Sequence, residues 1–231
     1  MVIGGLQRFS LIDYPGRIAC VIFTQGCNFR CPYCYNRSLV LPQFYEEPLP
    51  EEEVLSFLRS RRGLIEAVVI SGGEPTVQED LPQFLRKLRE MGFLLKLDTN
   101  GTHPETVKEL IRTGTIDYVA MDVKAPLSRY REVVREEVDL QNIALSVALL
   151  LSSGVDYEFR TTLVRELISE EDILQIGERL IRGAKRYALQ RFVATDTLVD
   201  PSFKECTTYS EEELRRLIPR LEKFVEEVLI R

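Results

Sequence analysis

Three cysteines fall within eight residues, in the run Cys27-Asn-Phe-Arg-Cys31-Pro-Tyr33-Cys34. Thiolates this close in sequence can wrap one metal centre in a single loop. Iron–sulfur clusters are held by cysteine thiolates, usually four, and here the local fourth is missing. A cubane cluster on three protein thiolates leaves one iron open to a ligand, by the logic that keeps a catalytic zinc open. The alternative is a zinc knuckle, or cysteines that are merely buried. Zinc sites usually pair two Cys-x-x-Cys-like clips and histidines; this chain has one clip and one histidine, His103. His103 precedes Pro104 at a helix start and reads as a cap or surface residue. Cys20 lies between Ala19 and Val21 and reads as a small buried hydrophobe. Cys206, in a polar loop, reads as a free thiol rather than a fourth ligand.

Two further clusters could do chemistry. In Ser71-Gly72-Gly73-Glu74-Pro75 the glycines let the backbone approach a ligand closely, and the carboxylate can accept hydrogen bonds from an ammonium group. An ordinary βα turn is the other reading. In Asp98-Thr99-Asn100-Gly101 the side chains can bind ribose hydroxyls or a monovalent cation, or simply make a turn.

The elements that must position these residues follow from hydrophobic periodicity. Short β-branched or apolar runs at 18–24, 67–71, 93–99, 118–122, 156–162 and 188–194 read as strands. Amphipathic stretches at 51–61, 81–91, 104–112, 139–151 and 170–181 read as helices, and a last helix is expected over 211–230, with Pro219 kinking or dividing it. Ser169 and Ser210, each followed by acidic residues, are expected caps. Strand followed by helix, repeated, predicts an α/β fold with a parallel sheet. Six units are too few for a closed eight-stranded barrel. The polar clusters fall just after strands, which is where parallel α/β folds build active sites.

Composition narrows the classes. The 231 residues, 45% of them hydrophobic, suffice for one domain with a full core. The net charge of −6 argues against a nucleic-acid binder. No apolar run reaches the roughly 18 residues a membrane span needs, and the N-terminus does not read as a signal peptide. Clustered cysteines without a disulfide framework suit metal binding in the cytoplasm.

The cysteine run, with aromatic Tyr33 before its last cysteine, resembles the signature of the radical SAM superfamily. The resemblance implies a partial (β/α)6 TIM-like barrel, a single domain over 1–231 with its core over about 17–195 and a C-terminal helix over about 210–230. It implies a [4Fe–4S] cluster on Cys27, Cys31 and Cys34, whose open iron binds S-adenosylmethionine and cleaves it to an adenosyl radical. Gly72, Gly73 and Glu74 resemble the stretch that holds the methionine amino group. Asp98 and Thr99 resemble a pair in glycyl-radical activating enzymes that helps bind a monovalent cation near the cofactor. Lys124, in Asp122-Val-Lys124, resembles the lysine that reaches the methionine carboxylate. Tyr33, Asn36 and Arg160 complete the implied cofactor contacts. The chain departs from the family in having Tyr35 where histidine usually follows the third cysteine, and Leu189-Gln190-Arg191-Phe192 where a histidine often lies near the ribose. Residues 5–16, Gly-Leu-Gln-Arg-Phe-Ser-Leu-Ile-Asp-Tyr-Pro-Gly, resemble the start of activating proteins of anaerobic ribonucleoside-triphosphate reductase. Asp13, Pro15 and Gly16 match a segment that meets the glycine loop of the partner in pyruvate formate-lyase activating enzyme. A glycyl radical enzyme is therefore the implied partner, with flavodoxin or ferredoxin as reductant, and no nucleic acid or membrane. Small-molecule radical SAM enzymes, such as 7-carboxy-7-deazaguanine synthase, share the core motifs. An electron-transfer iron–sulfur protein without catalysis is a further alternative.

Overall fold

The computed structural model describes residues 1–231. Its strands are β1 (Ile3–Ser10), β2 (Ala19–Thr24), β3 (Ala67–Gly72), β4 (Leu94–Thr99), β5 (Tyr118–Asp122), β6 (Asp156–Leu163), β7 (Arg186–Arg191) and β8 (Glu227–Ile230). Its helices are α1 (Arg37–Val40), α2 (Glu51–Ser60), α3 (Leu81–Glu90), α4 (Pro104–Arg112), α5 (Tyr130–Val134), α6 (Leu140–Ser152), α7 (Glu170–Gln175) and α8 (Glu211–Leu221). The strands follow chain order in the sheet. β2, β3 and β4 run parallel, as do β6, β7 and β8, whereas β1 pairs antiparallel with β2. This is the α/β architecture expected from the sequence.

The packing divides the chain into two compact units. One holds Met1–Asn28, Asn36–Thr99 and Glu105–Val119; the other holds Phe29–Tyr35, Asn100–Pro104 and Ala120–Arg231. In the first, Val68, Val69 and Ile70 are wholly buried, as a parallel strand covered on both faces must be. α3 turns Leu81, Phe84, Leu85 and Leu88 inward at helical spacing, and none of the four is more than 1% exposed. At about 1.5–3 kcal/mol for each large apolar side chain, that face alone fixes the helix. In the second unit the core is built from Ile143, Val147, Phe159, Tyr187, Leu189 and Leu217. The expected caps form there. Ser169 with Asp172, and Ser210 with Glu213, make reciprocal capping boxes at the starts of α7 and α8.

Several elements differ from the sequence expectation, the short helices α1 and α5 among them. Residues 211–230 are not one helix: α8 ends at Leu221, two residues past Pro219, and residues 227–230 form β8 beside β7. Proline removes an intrahelical donor, and the Glu-Val-Leu-Ile that follows suits strand pairing better than another turn. β1 was not expected either. Its glycines and polar residues break the alternation, and only Ile3 and Ser10, at its ends, are buried. α7 also stops at Gln175 and continues to Leu180 as a π-helical turn, within the single helix expected over 170–181.

Candidate active site

In the first unit the site residues hang on the ends of β2, β3 and β4. Thr24 pairs with Gly72 at the matching ends of β2 and β3. Gly73 N–H donates to the Thr24 carbonyl at 2.9 Å, and Glu74 N–H donates to the Gly26 carbonyl at 2.8 Å. The two glycines are needed for this crossing. Gly72 has φ +113°, and a Cβ on Gly73 would lie 2.0 Å from the Gly26 carbonyl oxygen. The close approach they allow is thus to the chain leading into Cys27.

Glu74 is 1% exposed. Its Oε1 accepts from Thr76 N–H at 3.1 Å, Thr76 Oγ1 at 2.5 Å and Thr99 Oγ1 at 2.7 Å. Three donors on one oxygen hold the carboxylate in one orientation. Asp98 Oδ2 accepts from Ser71 Oγ at 3.0 Å, and Lys96 Nζ lies 3.3 Å from Oδ1. Asn36 precedes α1, and its carbonyl accepts from Leu39 and Val40.

In the second unit, residues 29–35 are pinned by main-chain bonds. Arg30 N–H donates to the Val134 carbonyl at 2.9 Å. Val199 and Asp200 N–H donate to the Cys34 and Pro32 carbonyls at 2.8 and 3.0 Å. Cys34 N–H donates back to the Cys31 carbonyl at 3.1 Å, closing a tight turn. Phe29 packs edge-on against Tyr130. The same unit holds a partly buried charge cluster. Asp122 ends β5 and accepts from Arg160 Nε at 2.7 Å and Lys124 Nζ at 2.9 Å. Burial alone would raise the Asp122 carboxyl, but Arg160 and Lys124 outweigh it and lower it to about 2. Burial opposes the Lys124 charge, yet Asp122, with Tyr33 and Cys31, holds its ammonium well above the usual lysine value. Burial pushes the Cys31 thiol up to about 11, with Lys124 opposing. The Tyr33 hydroxyl is buried without a partner of normal hydrogen-bond geometry.

None of the five cysteines forms a disulfide. Cys20 is buried in β2, and burial pushes its thiol up to about 12, as befits an inert core residue. Cys206 follows a 3₁₀ turn over Pro201–Glu205. His103 precedes α4 with Nδ1 3.0 Å from Thr102 Oγ1. Thiolates are the usual ligands of an iron–sulfur centre, and Cys27, Cys31 and Cys34 are the three that lie close in sequence. The first unit thus holds a hydrogen-bonded carboxylate at Glu74, and the second an ammonium at Lys124 paired with Asp122. Sequence reasoning missed Lys96, Thr76 and the residues clamping the cysteine turn. A charged residue at an inward position of β4 was the one available signal, for Lys96.

The radical SAM superfamily model matches residues 21–180. A protein of Methanocaldococcus jannaschii named as a glycyl-radical enzyme activating enzyme is 38% identical over 238 residues, covering 100% of this chain and 95% of the relative. The pyruvate formate-lyase-activating enzyme of Clostridium pasteurianum is 32% identical over 131 residues, 54% of each chain. Among solved structures, Streptococcus suis SuiB bound to S-adenosylmethionine has the same fold. It superposes with a TM-score of 0.62 at 18% identity, covering 85% of this chain and 47% of that one. The fold class is the expected α/β fold of the radical SAM partial-barrel type, and the cofactors of the family are a [4Fe–4S] cluster and S-adenosylmethionine. No helix is long and apolar enough to cross a membrane. This chain belongs to the radical SAM superfamily, in its glycyl-radical activating enzyme family.

Proposed function

We propose that this chain activates an anaerobic ribonucleoside-triphosphate reductase by removing a hydrogen atom from a glycine Cα of that partner. The observation that carries the reading is the 38% identity spanning 100% of this chain and 95% of the Methanocaldococcus jannaschii relative. The likeness of residues 5–16 to reductase activating proteins supports the reductase as partner. In that segment Phe9, Leu11 and Ile12 are exposed, and Ser10 Oγ donates to Asp13 Oδ2 at 2.5 Å, holding the turn.

Cys27, Cys31 and Cys34 ligate the cluster. When bound, the cluster and S-adenosylmethionine supply one-electron cleavage of a sulfonium bond and hydrogen-atom abstraction. The overall exchange takes one electron from an external flavodoxin or ferredoxin and one hydrogen atom from glycine. It leaves methionine, 5′-deoxyadenosine and the glycyl radical. Glu74, with the Gly72–Gly73 backbone, accepts from the methionine ammonium group. Lys124, held charged by Asp122, meets the methionine carboxylate. Tyr33, Asn36, Asp98, Thr99 and Arg160 complete the contacts.

The test is anaerobic incubation of the reduced, cluster-loaded protein with candidate glycyl radical enzymes. A glycyl radical signal by electron paramagnetic resonance, with matching 5′-deoxyadenosine, is expected with the reductase. A signal only with pyruvate formate-lyase would transfer the assignment to that partner, which the Clostridium pasteurianum relative favours. No signal with any partner, while a small substrate drives 5′-deoxyadenosine release, would refute activation and favour an enzyme such as 7-carboxy-7-deazaguanine synthase.

A further inference from the structure

Lysine is rarely buried inside a strand, because stripping water from an ammonium is costly unless it is paired. Lys96 sits in β4 with 3% of its surface exposed. Strand alternation puts it on the same face as Asp98, two residues on. Its Nζ lies 3.3 Å from Asp98 Oδ1, donates to the Asp13 carbonyl at 2.5 Å, and stands 5.6 Å from the centre of the Tyr118 ring. The other Asp98 oxygen accepts from Ser71. The Thr99 hydroxyl is directed at Glu74.

The family resemblance implied a monovalent cation at Asp98 and Thr99. These residues do not fit one. A cation on Asp98 would meet an ammonium already beside the same carboxylate, and like charges at that range repel. We propose that Lys96 is a positioning residue that takes the cation's place. Its ammonium neutralises Asp98 and ties it to the Asp13 turn, so S-adenosylmethionine binds without added Na⁺ or K⁺. The inference rests on the reading of Asp98 as a cofactor-site residue and is independent of which partner receives the radical.

The test is the dissociation constant of S-adenosylmethionine on anaerobic, cluster-loaded protein. It is measured in KCl, NaCl and tetramethylammonium chloride at equal ionic strength. The wild type should bind within about twofold in all three. Lys96→Met should bind about tenfold or more weakly in tetramethylammonium, the scale of one lost charge-assisted contact, with part of the loss restored by K⁺ or Na⁺. Lys96→Arg should remain indifferent to the cation. A wild-type affinity that falls about tenfold without alkali cations would overturn the proposal, and needs no variant to fold. So would a folded Lys96→Met that binds as the wild type does in tetramethylammonium. Asp98→Asn with unchanged affinity would instead sink the placement of Asp98 at the cofactor, and the proposal with it.

Discussion

Replacing Asp122 by asparagine keeps the shape of the side chain and removes the charge that Lys124 and Arg160 share. Its carboxylate takes 2.7 and 2.9 Å bonds from those two cations, and its side chain is 26% exposed. Burial raises the carboxyl, Arg160 and Lys124 lower it, and the net result is a fall from 3.8 to about 2. A drop of nearly two units corresponds to ~2 kcal/mol of stability at neutral pH, since one unit is about 1.4 kcal/mol. The sign follows from linkage. The folded carboxyl ionises more readily than the unfolded one, so the contribution is complete above about pH 4 and is lost as pH falls towards about 2. Asp122→Asn should therefore unfold in urea with ~2 kcal/mol less stability at pH 7, and the difference from wild type should close as pH falls through that window. Metal-free protein serves for this measurement, and the pairwise difference cancels the other carboxylates. A difference that is absent at pH 7, or that stays constant down to pH 2, would refute the electrostatic reasoning. In the cluster-loaded protein the same variant should weaken S-adenosylmethionine binding, because Lys124 loses the partner that fixes it.

Three further outcomes follow from other parts of the molecule. Alanine at Cys27, Cys31 or Cys34 should each prevent stable incorporation of iron and sulfide on anaerobic reconstitution, read by metal and sulfide analysis, whereas alanine at Cys20 or Cys206 should leave it intact. Gly73→Ala would set a Cβ 2.0 Å from the Gly26 carbonyl oxygen. Backbone must move there, so a loss of at least ~2 kcal/mol in urea unfolding and weakened cluster retention are expected. Glu158 is wholly buried, and its two oxygens accept from Arg231 at 2.7 and 2.6 Å. Arg231→Ala removes both of these bonds from a wholly buried carboxylate, at a cost of ~3 kcal/mol. A melting point lower by roughly 6–12 °C should show it, with partial recovery when Glu158→Gln is added.

The parts of the fold legible in sequence were those whose signal is local. Val-Val-Ile of β3 and the repeat of Leu81, Phe84, Leu85 and Leu88 in α3 state their burial in their own spacing. Ser169 and Ser210 announce their caps within four residues. β1 and β8 were not legible, because each is a strand only by virtue of its neighbour. β1 has buried ends and an exposed middle, and β8 is a short run after a helix whose apolar period it continues. The site divides in the same way. Thiol spacing and the loops after β3, β4 and β5 could be read directly. The clamp on residues 29–35 from Val134, Val199 and Asp200 could not, because main-chain donors carry no sequence signature. Nor could the partners of Lys96, since Asp13 contributes a carbonyl rather than a side chain.

The glycine pair shows why motif and mechanism should be kept apart. Sequence reasoning gave Gly72 and Gly73 to a ligand, yet the contact that forbids a Cβ at each is with residues 23–26 of the chain itself. Their effect on chemistry is indirect. By letting β3 close against the end of β2, they deliver Glu74 to Thr76 and Thr99, which fix Oε1 before any ligand arrives. The second unit does the same for the opposite charge, where Asp122 fixes the Lys124 ammonium between burial and a carboxylate. Each unit thus carries one preset charge, a carboxylate in the first and an ammonium in the second. Groups oriented in advance spend no binding energy on reorganisation when a ligand arrives.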